Sequence, residues 1–468
     1  MVFSSQIFVF YFLPLVLLVY YNLPYRWRNP YLTVMSYAFY GWWKPWFILL
    51  MLFSTFVNYQ AGRIIARPGA SRRKRRTALI VSCGVSLGLL GFFKYYMFSA
   101  ESLNTLLAWV GLPGLRILEV VLPIGISFFT FQALSYAVDV YRGDAPAARS
   151  FGDFACFVAL FPQLIAGPIL RYHTVARQLE SSEYTAERFA SGVLIFSLGF
   201  AKKVLLANPM GEVANAAFDS ASVEMADAWF GVTAYAFQIY FDFCGYSDMA
   251  VGLGRMLGFE FMKNFDAPYR SESITEVWRR WHLSLSTFLR DYLYIPLGGN
   301  RGGPWRTYYN LGLVMLLGGL WHGAKWTFVL WGAYHGLWLA IERWRGKRSL
   351  WGGAPRPLRI GFTFTLMLFS WVLFRAENLE SALAYYGGML GFTGAVGAHG
   401  LLSAELYTPM HVGVMALCGF LVFQPRQAHD WVGGALTWRH VAVAVPLLVL
   451  ALLAMFTQSF NPFLYFQF

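Results

Sequence analysis

Apolar runs long enough to cross a bilayer recur from one end of this chain to the other, and few features restrict a fold so strictly. Hydrocarbon offers no water to satisfy a free N–H or C=O, so only helices and closed barrels span it. A spanning helix needs roughly 20 residues, and no alternating two-residue pattern suggests a barrel. Charged residues make up 13% of the 468 positions and hydrophobic ones 57%, whereas soluble domains carry about 25% charge. The chain therefore reads as an all-α, polytopic membrane protein. No repeat, low-complexity tract or linker divides it, so residues 1–468 read as one integral-membrane domain.

The net charge of +13 does not imply nucleic acid, because the basic residues lie in short loops between apolar runs, where they orient a membrane chain. Arg26 and Arg28 follow the first run, and Arg63, Arg67 and the cluster Arg72 to Arg76 follow the third. Both loops fit the cytoplasm if the N-terminus is periplasmic. The stretches 207–228 and 377–410 carry acids and no Lys or Arg, and read as periplasmic. The segments after Phe261 and Glu342 are basic and read as cytoplasmic. The first run, from about Gln6 to Tyr21, has no basic lead or small-residue cleavage site and reads as a retained span. One conflict of parity lies between Arg149 and the acidic 207–228 stretch, where two apolar segments intervene. Pro162, Gly167 and Pro168 interrupt the first of them, so it is expected to re-enter near Gly167 rather than cross. Cys83, Cys156, Cys244 and Cys418 lie in apolar runs without metal spacing, and read as inert thiols.

Two regions carry the chemistry. From Ser273, in SITEVWRRWHLSLSTFLRDYLYIPLGGNR, the residues Val277, Trp281, Leu285, Phe288 and Tyr292 recur every three or four positions. That spacing predicts one amphipathic helix, opened by a Ser273–Glu276 capping box and lying along the membrane surface. Arg279, Arg280 and Arg290 fall off the apolar face and can meet an anionic ligand or lipid headgroups. His282 lies within the same helix. The segment 307–342 is bounded by basic stretches and must enter the membrane and return. His322, in LLGGLWHGAKWTFVLWGAYHG, is 15 residues past Thr307, roughly 20 Å along a helical path and deep in a core of about 30 Å. An ionisable group at that depth points to function, and Gly318, Gly319 and Gly323 permit a break or close approach around it. No second ligand stands at metal spacing, His335 being 13 residues away, so no metal is expected. Asp242 and Asp248 read as hydrogen-bonding groups within a helix bundle. Lys202 and Lys203 snorkel or line a polar path.

These motifs together resemble the membrane-bound O-acyltransferase family, in its bacterial branch that acylates cell-surface polymers. The likeness extends through MVFSSQIFVFYFLPL, LPIGISFFTFQALSYAVDVYRGD, FPQLIAGPILRY, YFDFCGYSDMAVGLGRMLGF and the ending NPFLYFQF. It implies about eleven spanning helices, with re-entrant and amphipathic ones, in a ring around a central tunnel. It matches His322 to the family's active-site histidine and His282 to the second histidine of the bacterial branch. It makes Trp281, Arg279, Arg280, Arg290 and Trp321 the donor-binding and tunnel residues. The implied reaction takes an acetyl group from cytosolic acetyl-CoA, or from a thioester carrier, with no permanently bound cofactor. The acetyl group passes across the bacterial inner membrane to an exopolysaccharide, cellulose or alginate. A periplasmic acetyltransferase and a polysaccharide synthase complex are the expected partners, alongside membrane lipid. The short segment 424–439 departs from the longer Ala- and Pro-rich loop of the alginate-serving members and shifts weight to cellulose. Two other readings stay open: a transporter of donor or polymer without chemistry, and an acyltransferase acting on teichoic acid or lipid.

Overall fold

The computed structural model describes every residue except 221, 347–348, 393–398, 434–435 and 459–468. The closing motif NPFLYFQF therefore lies outside the described residues. Among those described, every regular element is helical. Five stretches are long and apolar enough to cross a membrane: Phe47–Ala66, Arg72–Trp109, Ala186–Phe218, Arg356–Arg375 and Trp438–Thr457. Phe8–Asn22 and Pro409–Val422 are shorter apolar helices. By length and composition this falls short of the about eleven spans expected.

Contacts divide the chain into two compact units, residues 1–193 with 250–262 and residues 194–249 with 263–468. The first is cored by aromatic rings: Phe12 meets Phe161 edge-on at 5.4 Å and Phe39 at 5.6 Å. The re-entrant expectation belongs to this unit. Helix α1 (Phe151–Ala159) is N-capped by Ser150, which accepts from the Asp153 amide at 3.0 Å. It spans only nine residues, about 14 Å, and cannot cross. The chain breaks at Leu160, makes one turn over Phe161–Leu164 and continues irregularly past Gly167.

The second unit holds the candidate site. Its long helix α2 (Met225–Met256, of which residues to 249 belong here) carries the two aspartates. Lys203 pairs with Asp242 at 2.8 Å and Lys202 with Asp248 at 2.7 Å. Of the two expectations for these lysines, snorkelling does not hold: both ammonium groups are paired inside the unit. A buried charge is tolerated when a partner is at hand, and the carboxylates lie about 40 positions away, beyond the reach of local pattern. After α2 come two short helices, α3 (Ile274–Val277) and α4 (Leu283–Leu289). An antiparallel hairpin follows, α5 (Gly303–His322) and α6 (Trp326–Trp344), and then α7 (Arg356–Arg375). The chain turns back on itself between the two helices, within the segment bracketed by basic stretches. The hairpin's arms touch through glycine: a Cβ on Gly319 would collide with the Phe328 carbonyl oxygen, and one on Gly332 with that of Met315.

The single amphipathic helix expected from Ser273 does not form. Ser273 does cap, accepting from the Glu276 amide at 3.1 Å, but Glu276 accepts from the amide of Glu272 at 2.9 Å instead of returning to Ser273. The helix stops after Val277 and restarts at Leu283, because Asn264 competes for the backbone. Its carbonyl accepts from the Leu283 amide at 2.9 Å, and its side chain accepts from the Ser284 amide at 3.1 Å and hydroxyl at 2.9 Å. The apolar positions Val277, Trp281, Leu285 and Phe288 are buried inside the protein, not laid on lipid.

Candidate active site

His322 is the last residue of α5, at the tip of the hairpin, and is 5% exposed. Aromatic rings pack against it. Trp331 of α6 meets it edge-on at 5.1 Å, Phe374 of α7 at 5.2 Å and its neighbour Trp321 at 5.0 Å. His282 stands beside it, with ring centroids 6.3 Å apart. A low-dielectric box with two imidazoles is suited to moving a proton where water would otherwise compete.

His282 is fully buried and holds a left-handed backbone conformation, φ 45° and ψ 56°. Such a conformation is rare outside glycine. It is maintained from both sides: Asn264 binds the chain just after it, and the Arg280 carbonyl just before it accepts from the Asp266 amide at 2.9 Å. The kink swings the imidazole onto Phe243 of α2, at 4.7 Å, and Trp321, at 5.6 Å. Without the break the ring would continue the helical stripe. Tertiary hydrogen bonds from residues 264–266 therefore bring the two histidines together.

The other sequence-predicted residues divide by role. Trp321 touches both histidines, at 5.6 Å from His282 and 5.0 Å from His322. Trp281 is buried behind them, packed on Trp371 at 5.0 Å and Phe265 at 5.0 Å. Arg280 straps the kink, binding Glu276 at 2.8 Å and the Asp266 carbonyl at 3.1 Å. Arg290 is held by Asp291 through two contacts, 2.6 and 3.0 Å, and that hydrogen bonding pushes its guanidinium still higher in pKa. Arg279 is exposed and makes no ion pair among the described residues, which leaves it the freest of the three to meet an anion. Nearby, burial pulls Lys263 down, but hydrogen bonds and charge from Asp266 and Asp430 more than offset it and hold its pKa above the usual value.

Sequence reasoning missed the residues behind the box. His335, weighed only as a metal ligand, is fully buried; its Nδ1 accepts from Trp278 Nε1 at 3.3 Å, and its ring lies 4.7 Å from Trp331. The signal was present in the four-residue step from Trp331 to His335, which places both on one face of a helix.

Residues 148–348 match the model of the membrane-bound O-acyltransferase family. The chain is 46% identical to a probable alginate O-acetylase AlgI of Pseudomonas putida and 44% identical to that of Pseudomonas aeruginosa, each over the full length of both chains. It is 35% identical to a peptidoglycan O-acetyltransferase of Helicobacter pylori, over all of this chain and 98% of that one.

Proposed function

The chain belongs to the membrane-bound O-acyltransferase family and is an O-acyltransferase, and from that premise we propose that it O-acetylates an extracytoplasmic polysaccharide, with His322 as its catalytic base. The observation that carries this is the aromatic box that holds His322 beside His282. In the proposed reaction a cytosolic thioester, acetyl-CoA or an acetylated carrier protein, presents its carbonyl to the box. Nε2 or Nδ1 of His322 takes the proton of the attacking hydroxyl, whose oxygen bonds to the carbonyl carbon. The C–S bond breaks, the thiolate takes a proton, and an ester is left on the acceptor. His282 orients the thioester or handles the proton of the leaving thiol. Excluding water keeps the thioester from being hydrolysed.

Alginate is the polymer favoured by the names of the full-length relatives. Cellulose is the second reading, supported by the short segment 424–439. The protein would lie in the bacterial inner membrane with its N-terminus periplasmic, as its arginine-rich loops suggest. A periplasmic acetyltransferase would receive the group and pass it to polymer beside the synthase complex. Kinship with O-acetylases along the whole chain removes the transporter reading.

The test is His322→Ala. The protein should accumulate in the membrane as the wild type does, because removing one buried ring at a helix end leaves the hairpin packing in place. Polymer acetylation should fall by about 10²–10⁴, the usual loss with a proton-transfer group. Wild-type acetyl content in cells that contain normal amounts of the variant would end the assignment.

A further inference from the structure

One wall of the box and one side chain behind it are buried donors left without an acceptor. Trp331 is 1% exposed and His335 0%. Neither Trp331 Nε1 nor His335 Nε2 has a hydrogen-bond partner among the described residues. Because His335 Nδ1 accepts from Trp278, the proton of the neutral ring sits on Nε2, so both free positions are N–H groups and can only donate. Burying such a donor unpaired is costly, and here two stand four residues apart on one face of α6, the first in contact with His322. They require acceptors at neighbouring positions, the two rings lying 4.7 Å apart between centroids.

Two carbonyls in series along one arm are a chemical match for two neighbouring donors. In a pantetheine thioester the acyl carbonyl and the first amide carbonyl are separated by S–CH₂–CH₂–NH, roughly 6 Å when extended at standard bond lengths. The far end of α6 supports the same direction of approach. A cavity of about 760 Å³, lined in part by Ser273, Glu276 and Arg345, lies there, fourteen residues or ~21 Å beyond Trp331. Trp278, which orients His335, sits at the end of the same short helix that begins at Ser273.

Resting on the thioester-donor reading above, we propose that Trp331 and His335 form a two-rung ladder that binds the donor's arm. Trp331 Nε1–H donates to the thioester carbonyl beside His322, and His335 Nε2–H donates to the first amide carbonyl. The ladder sets how far the arm enters and therefore where the acyl carbon stops.

The test measures affinity of purified full-length protein in detergent for acetyl-CoA and for S-ethyl-CoA, a thioether with the same arm and no acyl carbonyl. Trp331→Phe keeps an aromatic ring and loses the N–H. It should weaken acetyl-CoA about tenfold, the size of one lost hydrogen bond, and leave S-ethyl-CoA within about twofold. His335→Leu should weaken both ligands alike, and His335→Gln, which restores a donor, should recover most of the loss. Equal affinities across Trp331→Phe and wild type would overturn the ladder and leave water as the partner of these donors. So would a loss for both ligands in Trp331→Phe, which marks a packing defect. Acetyl-CoA and an acetylated carrier protein share the arm, so the Trp331→Phe effect should appear with whichever the wild type consumes. Wild-type protein that consumes neither thioester would refute the donor reading itself, a result distinct from failure of the ladder.

Discussion

His282 holds a backbone conformation that costs a non-glycine residue about 1–2 kcal/mol, and it does so 6.3 Å from His322. Strain of this kind persists where the surroundings over-determine it, and here the Asn264 and Asp266 bonds do so. Backbone and imidazole can be separated by substitution. Asn tolerates the left-handed region, so His282→Asn should accumulate near the wild-type level while acetylation falls about 10²-fold. His282→Val, β-branched at positive φ, should accumulate poorly. Immunoblots of membranes beside polymer acetyl content check both. Full acetylation by His282→Asn would deny the ring a role, and equal accumulation of the two variants would deny the strain. Position 282 also shows where sequence reading stops. His322 was legible because glycines and long apolar runs surround it within one segment. The role proposed for His282 rests on family resemblance, and its geometry depends on Asn264, 18 positions upstream, whose hydrogen bonds no local periodicity encodes.

At the scale of elements, the hairpin of α5 and α6 fixes His322 at its tip beside Trp331. The arms approach through backbone, with Gly319 and Gly332 facing carbonyl oxygens that cannot move aside like a side chain. Gly332→Ala should therefore spread the arms and lower thermal stability in detergent by about 1–3 kcal/mol, the range for overpacking. Gly312→Ala, on α5 where no neighbouring atom lies within 4 Å of the place a Cβ would take, should be neutral or slightly stabilising through helix propensity. Similar melting temperatures for the two alanine variants would refute backbone contact as the clamp. The hairpin was readable because basic stretches bracket one long apolar segment. The paired short helices α3 and α4 were not. Their apolar residues do repeat at helical spacing, and they are buried as the pattern requires. Periodicity reports which side chains go inside, however, and a kink at one residue between two turns preserves that answer while ending the helix. The same limit applies to the arginines: spacing set Arg279, Arg280 and Arg290 apart from the apolar face, but only packing makes Arg280 a strap and leaves Arg279 exposed.

For the whole molecule, the proposed reaction needs a thioester on one side and a hydroxyl on the other, so orientation is part of the chemistry. The basic cluster Arg72 to Arg76 and the acidic stretch 207–228 give opposite signs to two loops, and the positive-inside bias then assigns the first to the cytoplasm. Single cysteines at these loops, in a background without the four native ones, test the assignment directly. Ser71 is exposed at the start of the Arg72–Trp109 stretch, and Ser222 is partly exposed just before α2. Ser71→Cys gives up one capping bond, from the Lys74 amide at 3.3 Å, a loss near ~1 kcal/mol that a helix of this length absorbs. In intact spheroplasts an impermeant maleimide should label Ser222→Cys and spare Ser71→Cys, and permeabilising the membrane should expose position 71. Labelling of 71 alone would invert the molecule and place the basic donor-side loops outside the cell, where no acetyl thioester is made. Labelling of both would break the parity on which the non-crossing segment around Leu160 was inferred. Only the pattern with 222 outside and 71 inside lets a cytosolic donor meet His322 from the end of α6 and an extracytoplasmic acceptor meet it from the other side.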